Sequence, residues 1–522
     1  MAPDLFFYSY IFYNLGFYYS KSLIMKSLKL SFILMILSVA LNAQNLVVKD
    51  LTCEFKTNPV GIDVLQPRLS WKINGTGYGI LQTAYSIRVA ADPGFASSKI
   101  VWESGKVASD ESHLLVYKGA DLKSGQRYYW QVRIWDNKGR STRWSEAAYW
   151  EMGLLSPSDW KARWIELEDD TNRYSPSPHF RKEFTITKAV RKATVYVTAH
   201  GLYDLSLNGK RVGDQVMMPG WTTYGKRLQY QVYDVTTQVV RGENAIGAFL
   251  GDGWYRGTLA WGNNWAIYGK RLGLLMQLKI VHTDGTETLI ITDESWKGHN
   301  DPAIRMNDIY NGYTYDATKR LTGWSNPGYD DSKWKKVRIG SYNDNLVASE
   351  GAPIKKIEEL KPLKVFRSPK GSLLVDMGQN MVGWIRLKAK GPRGTVITVR
   401  HAEVLDKYGE FYTENLRAAK VQLTLTLAGT GEDEIFEPRF TFMGFRYLEI
   451  SGFPGTLTTD NITGVVVHSE MKKSGTYESS NPLLNQLQHN IVWGQKGNFL
   501  DVPTDCPQRD ERLGWTGDAQ AF

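Results

Sequence analysis

Hydrophobic and polar positions alternate in short runs from about residue 46 onward, the period-two pattern of half-buried strands. Tyr85, Ile87 and Val89 share one face. Tyr128, Trp130, Val132 and Ile134 share another, ahead of a polar turn at residues 136–140. Residues 45–155 therefore read as a first β-sandwich, and residues 156–345 and 346–470 as two further all-β segments. In the second, Val195 and Val197, then Leu205 and Leu207, alternate before Asn208 and Gly209, a pair that accepts the positive φ angles of a two-residue hairpin turn. The period changes at Ser479. Asn481 can cap a helix, Pro482 fits its first turn, and Leu483, Leu484, Leu487 and Ile491 fall on one helical face. That helix is expected to give way after Gly494 and Gly497, and Pro503 and Pro507 exclude helix from the residues around them.

Length and composition agree with this division. A chain of 522 residues is too long for one core, and 42% hydrophobic with 22% charged residues is a globular balance. The 18 Trp and 28 Tyr suit β-sandwich cores and sugar-binding faces alike. Within the first segment, the spacing of Leu122 and Tyr128 fits a tyrosine corner, and Pro67, Leu69 and Trp71 fit an early strand of a fibronectin-III or immunoglobulin-like sandwich. The net charge of +9 is spread along the chain with no basic block, so nucleic acid is not an expected partner. Cys53 and Cys506 lie far apart without metal-ligand spacing, and a disulfide between them is not expected.

Residues 1–43 read as a leader. Met25 opens a basic stretch, residues 30–41 are apolar, and Ala43 is small enough to precede a cleavage site, the organisation of a secretory signal peptide too short to span a bilayer. No cysteine stands where a lipid anchor would need one. A periplasmic or secreted protein with no transmembrane segment in its mature part is expected, with Met25 as the true start.

Three places carry candidate chemistry. Residues 501–518 hold five acids, Asp501, Asp505, Asp510, Glu511 and Asp518, where the average composition would place about two, together with Arg509, Arg512 and Trp515. Crowded carboxylates raise one another's pKa, and a carboxyl kept protonated can act as a general acid; with an aromatic face and fixed donors, this is the equipment of sugar cleavage. The competing reading is a salt-bridged loop pairing Asp505, Asp510 and Glu511 with Arg509 and Arg512. Glu511, Trp515 and Asp518 have helical spacing, although Gly514 and Gly517 oppose a continuous helix. The second place is the glycine- and aromatic-rich stretch with Trp254, Trp261, Asn263, Asn264 and Trp265, either a shallow secondary sugar site or a loop whose tryptophans plug the sandwich. The third, His401 near Glu403, reads as strand-end hydrogen bonding rather than acid–base or metal chemistry. No metal site and no cofactor is expected.

The run from Asp505 through Cys506, Pro507, Gln508, Arg509, Asp510, Glu511 and Arg512 to Trp515, Asp518 and Gln520 closely resembles the active-site signature of the bacterial α-L-rhamnosidases of glycoside hydrolase family 78. The stretches 376–384 and 444–447 resemble the same family, as does the domain order, so the resemblance covers about residues 45–522. It implies a mainly β multidomain chain of three successive β-sandwich or jelly-roll domains, the second a galactose-binding-like jelly roll, followed from residue 471 by the first helix or two of an (α/α)6 catalytic barrel. It implies an inverting glycosidase acting on rhamnose-containing oligosaccharides or glycosides. Glu511 matches the general acid, Asp505 and Arg509 match residues that hold rhamnose hydroxyls, Trp515 a wall under the sugar, and Asp518 a further acidic subsite residue. Two positions depart from the family: Tyr313 follows Gly312 where Glu is expected, and Met443 stands where His is common. In the family the base comes from much later in the barrel, so the chain reads as an N-terminal fragment, inactive alone. The different-class alternative is a non-catalytic carbohydrate-binding protein.

Overall fold

The computed structural model describes residues 46–75 and 78–521. The leader and its expected signal peptide lie outside the described residues. The described chain forms two compact units, one built from residues up to Pro59 with Val64–Leu122 and Gln126–Glu151, the other from Val60–Asp63, Lys123–Gly125 and Met152–Phe522.

In the first unit, one sheet pairs Val47–Cys53 with Arg68–Asn74 and Leu115–Val116, and the other sets Ala148–Met152, Arg127–Asp136, Gln82–Ala90 and Ile100–Glu103 side by side. Burial alternates strictly along Arg127–Asp136, with Tyr128, Trp130, Val132 and Ile134 inside, as the alternating pattern requires. The Tyr117 hydroxyl donates to Ala120 O at 2.9 Å, and Tyr128 stacks on Trp150. Cys53 is a free buried thiol in this unit, and Cys506 is a free buried thiol in the other.

The second unit opens with two facing sheets. One holds Leu202–Leu207, Gly242–Gly251 and His179–Ile186 with shorter edge strands, and the other is centred on Val190–His200 and Gly273–His282. The hairpin at Asn208 and Gly209 forms as its sequence predicts, with φ angles of 51° and 74°. A third, larger sheet comes next, built around the seventeen-residue strand Leu373–Ala389 and its neighbours Met443–Ser451 and Ile462–Ser469. The hairpin Ile304–Asp308 and Gly312–Asp316 also joins this sheet, because Gly312–Asp316 pairs in parallel with Gln422–Thr426, so the third sheet draws on residues well before position 346. Gly312 is required there: at φ 100°, a Cβ would lie 2.0 Å from Gln422 O. Tyr313 is buried and stacks on Tyr315, which makes it a packing residue in this chain. Met443 is likewise fully buried.

The expected helix spans Pro482–Asn498, and the Asn481 side chain accepts from Leu483 N at 2.9 Å. It includes Gly494 and ends at Asn498, directly after Gly497, as expected. Gly497 is where the helix touches the long strand, since a Cβ would meet Val382 at 3.0 Å. Lys496 pairs with Glu358 at 2.5 Å and His489 bonds Gln379 at 3.1 Å on the same side. The leucine stripe faces away: Leu483 is 76% exposed, and Leu484, Leu487 and Ile491 are exposed too. Among the described residues, no helix is long and apolar enough to cross a membrane.

Candidate active site

After the helix, Phe499–Leu500 and Val502–Pro503 form a tight reversal around Asp501 at φ 71°. Asp501 anchors the loop. Its amide donates to Ser469 Oγ at 2.9 Å, and its carboxylate accepts from Trp221 N in the preceding two-sheet region. Burial pushes its pKa up to about 6, against the lowering effect of that amide bond. Gly220 makes room for it, because a Cβ there would lie 2.8 Å from Asp501 Oδ1.

From Thr504 to Trp515 the chain is irregular, closed by a bridge between Thr504 and Gly514 and by Trp515 N donating to Pro503 O at 2.9 Å. Glu511, Trp515 and Asp518 therefore do not share a helical face; Asp518 begins a separate short turn, Asp518–Ala521. Arg512 organises the loop from inside. Fully buried, it donates to the carbonyls of Gln508, Arg509, Phe442 and Ile309, and its guanidinium lies between the rings of Tyr310 and Phe442 at 4.8 and 5.2 Å. Burial lowers its pKa to about 10, still a cation at neutral pH. Tyr310 adds a bond from its hydroxyl to Glu511 O. Gly444 supports the loop from beneath: a Cβ there would press on Pro507 and Gln508 at 3.0 Å.

These contacts aim Arg509, Asp505 and Glu511 at one another. Arg509 Nε donates to Glu511 Oε2 at 3.0 Å and its Nη2 to Asp505 Oδ2 at 3.2 Å. Donor atoms of Asp505, Cys506 and Glu511 all lie within 4.8 Å of one another. Arg417, 94 residues earlier, reaches the same carboxylate, with Nη1 3.1 Å from Glu511 Oε2 and 3.8 Å from Asp510 Oδ1. It sits at φ 57° just past the turn Glu414–Leu416, a backbone conformation that costs a non-glycine residue about 1–3 kcal/mol. The salt-bridged reading of the loop is therefore half right. Arg509 pairs with the carboxylates, Arg512 binds carbonyls, and the second cation on Glu511 is Arg417.

The two central carboxyls are driven apart. Asp505 is raised, by burial and by the neighbouring Glu511. Burial also acts to raise Glu511, but the hydrogen bond with Asp505 and the charges of Arg509 and Arg417 outweigh it and hold Glu511 below the ordinary carboxylate range. The pair thus binds its first proton on Asp505, next to a glutamate held as an anion. The Cys506 thiol is pushed up to about 11 by burial and is no nucleophile at neutral pH. Two guanidiniums already neutralise the acids, and their charge opposes a divalent cation between Asp505, Cys506 and Glu511. Glu511 is 8% exposed, whereas Trp515, 44% exposed, offers an open indole face on the same loop. A cleft of about 520 Å³ lined by Trp221, Thr222, Tyr268, Val502 and Gly514 runs beside it.

The second candidate array does not come together. Trp254 is 2% exposed and stacks on Trp221 at 6.1 Å, and two residues on Arg256 is buried between Asp170 and Asp252 at 2.7 Å from each. Trp261 is 47% exposed, but Asn264 Nδ2 donates to Trp261 O and Asn263 Oδ1 accepts from Arg173 at 2.5 Å. Trp265 is half-buried and bridges Thr258. A set split between core and surface, with its amides bonded within the protein, is not one sugar face. His401 is buried, bonds Val421 O at 2.8 Å, and is lowered by burial to about 4, while Glu403 bonds Asn380 and Asn415. The two form no acid–base pair.

Sequence reasoning missed Arg417, Tyr310 and the supporting role of Gly444. Their signal is distributed over segments remote from the loop, although residues 444–447 are among the stretches that resemble the family.

Four family descriptions match in succession: a Rha78A-like N-terminal immunoglobulin domain over residues 48–156, an α-L-rhamnosidase N-terminal domain over 188–358, a bacterial α-L-rhamnosidase concanavalin-like domain over 366–468, and a bacterial α-L-rhamnosidase six-hairpin glycosidase domain over 472–522. An α-L-rhamnosidase of Alteromonas sp. (strain LOR) is 40% identical over 89% of this chain and 52% of its own length. One of Streptomyces avermitilis is 35% identical over 90% of this chain and 62% of its own. The solved structure of the S. avermitilis enzyme complexed with L-rhamnose superposes with a TM-score of 0.87 at 34% identity, covering 91% of this chain and 63% of that one. The chain thus spans between about half and three fifths of the length of these relatives. With four consecutive domains matched, the chain belongs to the bacterial α-L-rhamnosidases of glycoside hydrolase family 78.

Proposed function

We propose that the protein carrying this chain hydrolyses terminal α-L-rhamnosides of glycans or glycosides with inversion at the anomeric carbon. The observation that carries this reading is the convergence of Asp505, Arg509 and Glu511 on one loop beside the open face of Trp515. Trp515 stacks on the apolar face of the sugar, Arg509 and Asp505 hold its hydroxyls, Asp518 extends the acidic subsite, and Glu511 gives a proton to the glycosidic oxygen as the bond breaks. Asp505, raised by burial and by Glu511, is the neighbour through which a proton reaches that carboxylate, and closing the site over a sugar removes the water that favours the Glu511 anion. Inversion needs a base across the ring, roughly 6.5–9.5 Å from the acid with a water between. Asp505 lies within 4.8 Å of Glu511 on the same loop, so it does not fill that role, and the base belongs to a different part of the protein.

The test is hydrolysis of an alkyl α-L-rhamnoside by the full protein, followed by NMR of the first product formed. β-L-rhamnose as the initial anomer supports the reading. No hydrolysis of any rhamnoside, or full activity in Glu511→Gln, defeats it. We further infer a periplasmic or secreted location from the basic, apolar and small-residue order of residues 25–43. A mature terminus upstream of Met25 would overturn that inference.

A further inference from the structure

A second groove lies on the jelly roll, between residues 154–164 and 339–346, and encloses about 770 Å³. It shares no lining residue with the acidic loop. We propose that it is an accessory carbohydrate site that takes a neutral oligosaccharide of two or three sugar rings.

The lining gives the chemistry. Trp160 is half-buried and Tyr342 exposed, so both present ring surface, while Trp164 lies beneath, edge-on to Tyr342 at 5.7 Å. The platform is preorganised. The Tyr342 hydroxyl is bonded to the buried Glu166, which also takes Arg338, and Trp164 stacks on His200 at 4.1 Å and 8°. Fixed aromatic rings suit the apolar faces of pyranoses, because no side-chain freedom is lost on binding.

Polar groups surround these rings. Ser341, Asn343 and Asn345 are exposed along the groove and offer hydroxyl and amide partners. Asp344 is more specific. One carboxylate oxygen bonds His200 Nε2 at 3.2 Å, and the other, Oδ2, is buried with no partner.

Charge sets the class of ligand. Arg163 and Asp344 are the charged residues of the lining, and Arg163 is paired with Glu294 at 2.8 Å. The groove therefore offers no unneutralised cation for a phosphate or uronate, and it sets hydroxyl and amide groups beside aliphatic side chains such as Leu154, Leu275 and Ile339, a mixed lining suited to the polar edges and apolar faces of pyranoses. At about 770 Å³ it is in the upper part of the range for small-molecule clefts, room for roughly two or three pyranose rings.

The experiment is calorimetric titration of the full protein with cellotriose, xylotriose, galactotriose and free L-rhamnose, with tryptophan fluorescence as a second readout. At least one trisaccharide is expected to bind. Its affinity should fall about tenfold or more in Trp160→Ala and Tyr342→Ala, fall in Asp344→Asn, and be unchanged in Glu511→Gln and Trp515→Ala. Asn343→Ala, at an exposed position, reads the same groove if a ring variant fails to fold. Absence of binding by every trisaccharide at millimolar concentration overturns the proposal. So does full affinity in the groove variants, or loss of binding in Trp515→Ala, which would place the sugar on the acidic loop. Rhamnoside hydrolysis reports on the other site and is independent of each of these results.

Discussion

Two loops of this chain are rich in the same residues, glycine, tryptophan and polar side chains, yet one converges and the other disperses. In residues 501–517, a fully buried arginine, Arg512, binds four backbone carbonyls and so turns the remaining polar side chains toward a common point. In residues 251–265, the buried arginine is Arg256, whose partners are the carboxylates Asp170 and Asp252. There the acids are consumed inside the core, Trp254 joins them there, and only a self-bonded rim reaches the surface. A buried cation satisfied by backbone leaves the acids to partly exposed arginines, here Arg509 and Arg417; one satisfied by carboxylates makes a structural knot.

The contrast can be broken most strongly at Glu511. Glu511→Gln in the full protein should lower hydrolysis of an alkyl rhamnoside by about 10²–10⁴-fold, the usual contribution of a general acid, with the fold unchanged in thermal melts. Arg256→Met should show the opposite pattern. It strands two buried carboxylates and is expected to cost about 3–5 kcal/mol in a urea titration. Burial already raises Asp252 to about 7 with Arg256 opposing it, so without the guanidinium this carboxyl should stay protonated further into the alkaline range, and the variant's stability should fall more steeply than wild type as pH rises.

Arg417→Gln sharpens the comparison by testing a cation that serves the site from outside the loop. Its charge favours the Glu511 anion, so its removal raises the Glu511 pKa and keeps the acid protonated to higher pH. The alkaline limb of kcat/KM against pH should move upward, and Arg417→Lys should restore most of the wild-type position. General structural damage would lower activity without moving the limb. Asn481→Ala removes a helix cap and should cost about 1 kcal/mol, without effect on the pH profile. The smallest effect is expected at Trp261, where alanine should change stability by no more than about 0.5 kcal/mol and leave hydrolysis intact.

Features encoded within a few residues were legible. The turn at Asn208 and Gly209 depends on two local φ angles, and the cap at Asn481 on a side chain two residues from its donor. Asp505, Arg509 and Glu511 could be named because their convergence occurs within one loop. The helix was legible in existence and extent, from the Asn481 cap to Asn498 just after Gly497, and Gly497 also marks its close approach to Val382. Its apolar stripe misled about packing, because the contacts to the long strand use the opposite side.

By itself, then, the amino-acid sequence determined the alternating strands, the single described helix longer than four residues, the family and the identity of the acids, because each is written in local period or in a contiguous signature. The tertiary structure alone decided which arginine faces the acids, that Arg417 is the second cation on Glu511, that Trp254 is core, and that residues 154–164 and 339–346 line one groove. Those outcomes depend on burial and on contacts between segments far apart in the chain, where two arginines or two tryptophans of the same composition take opposite roles according to what surrounds them.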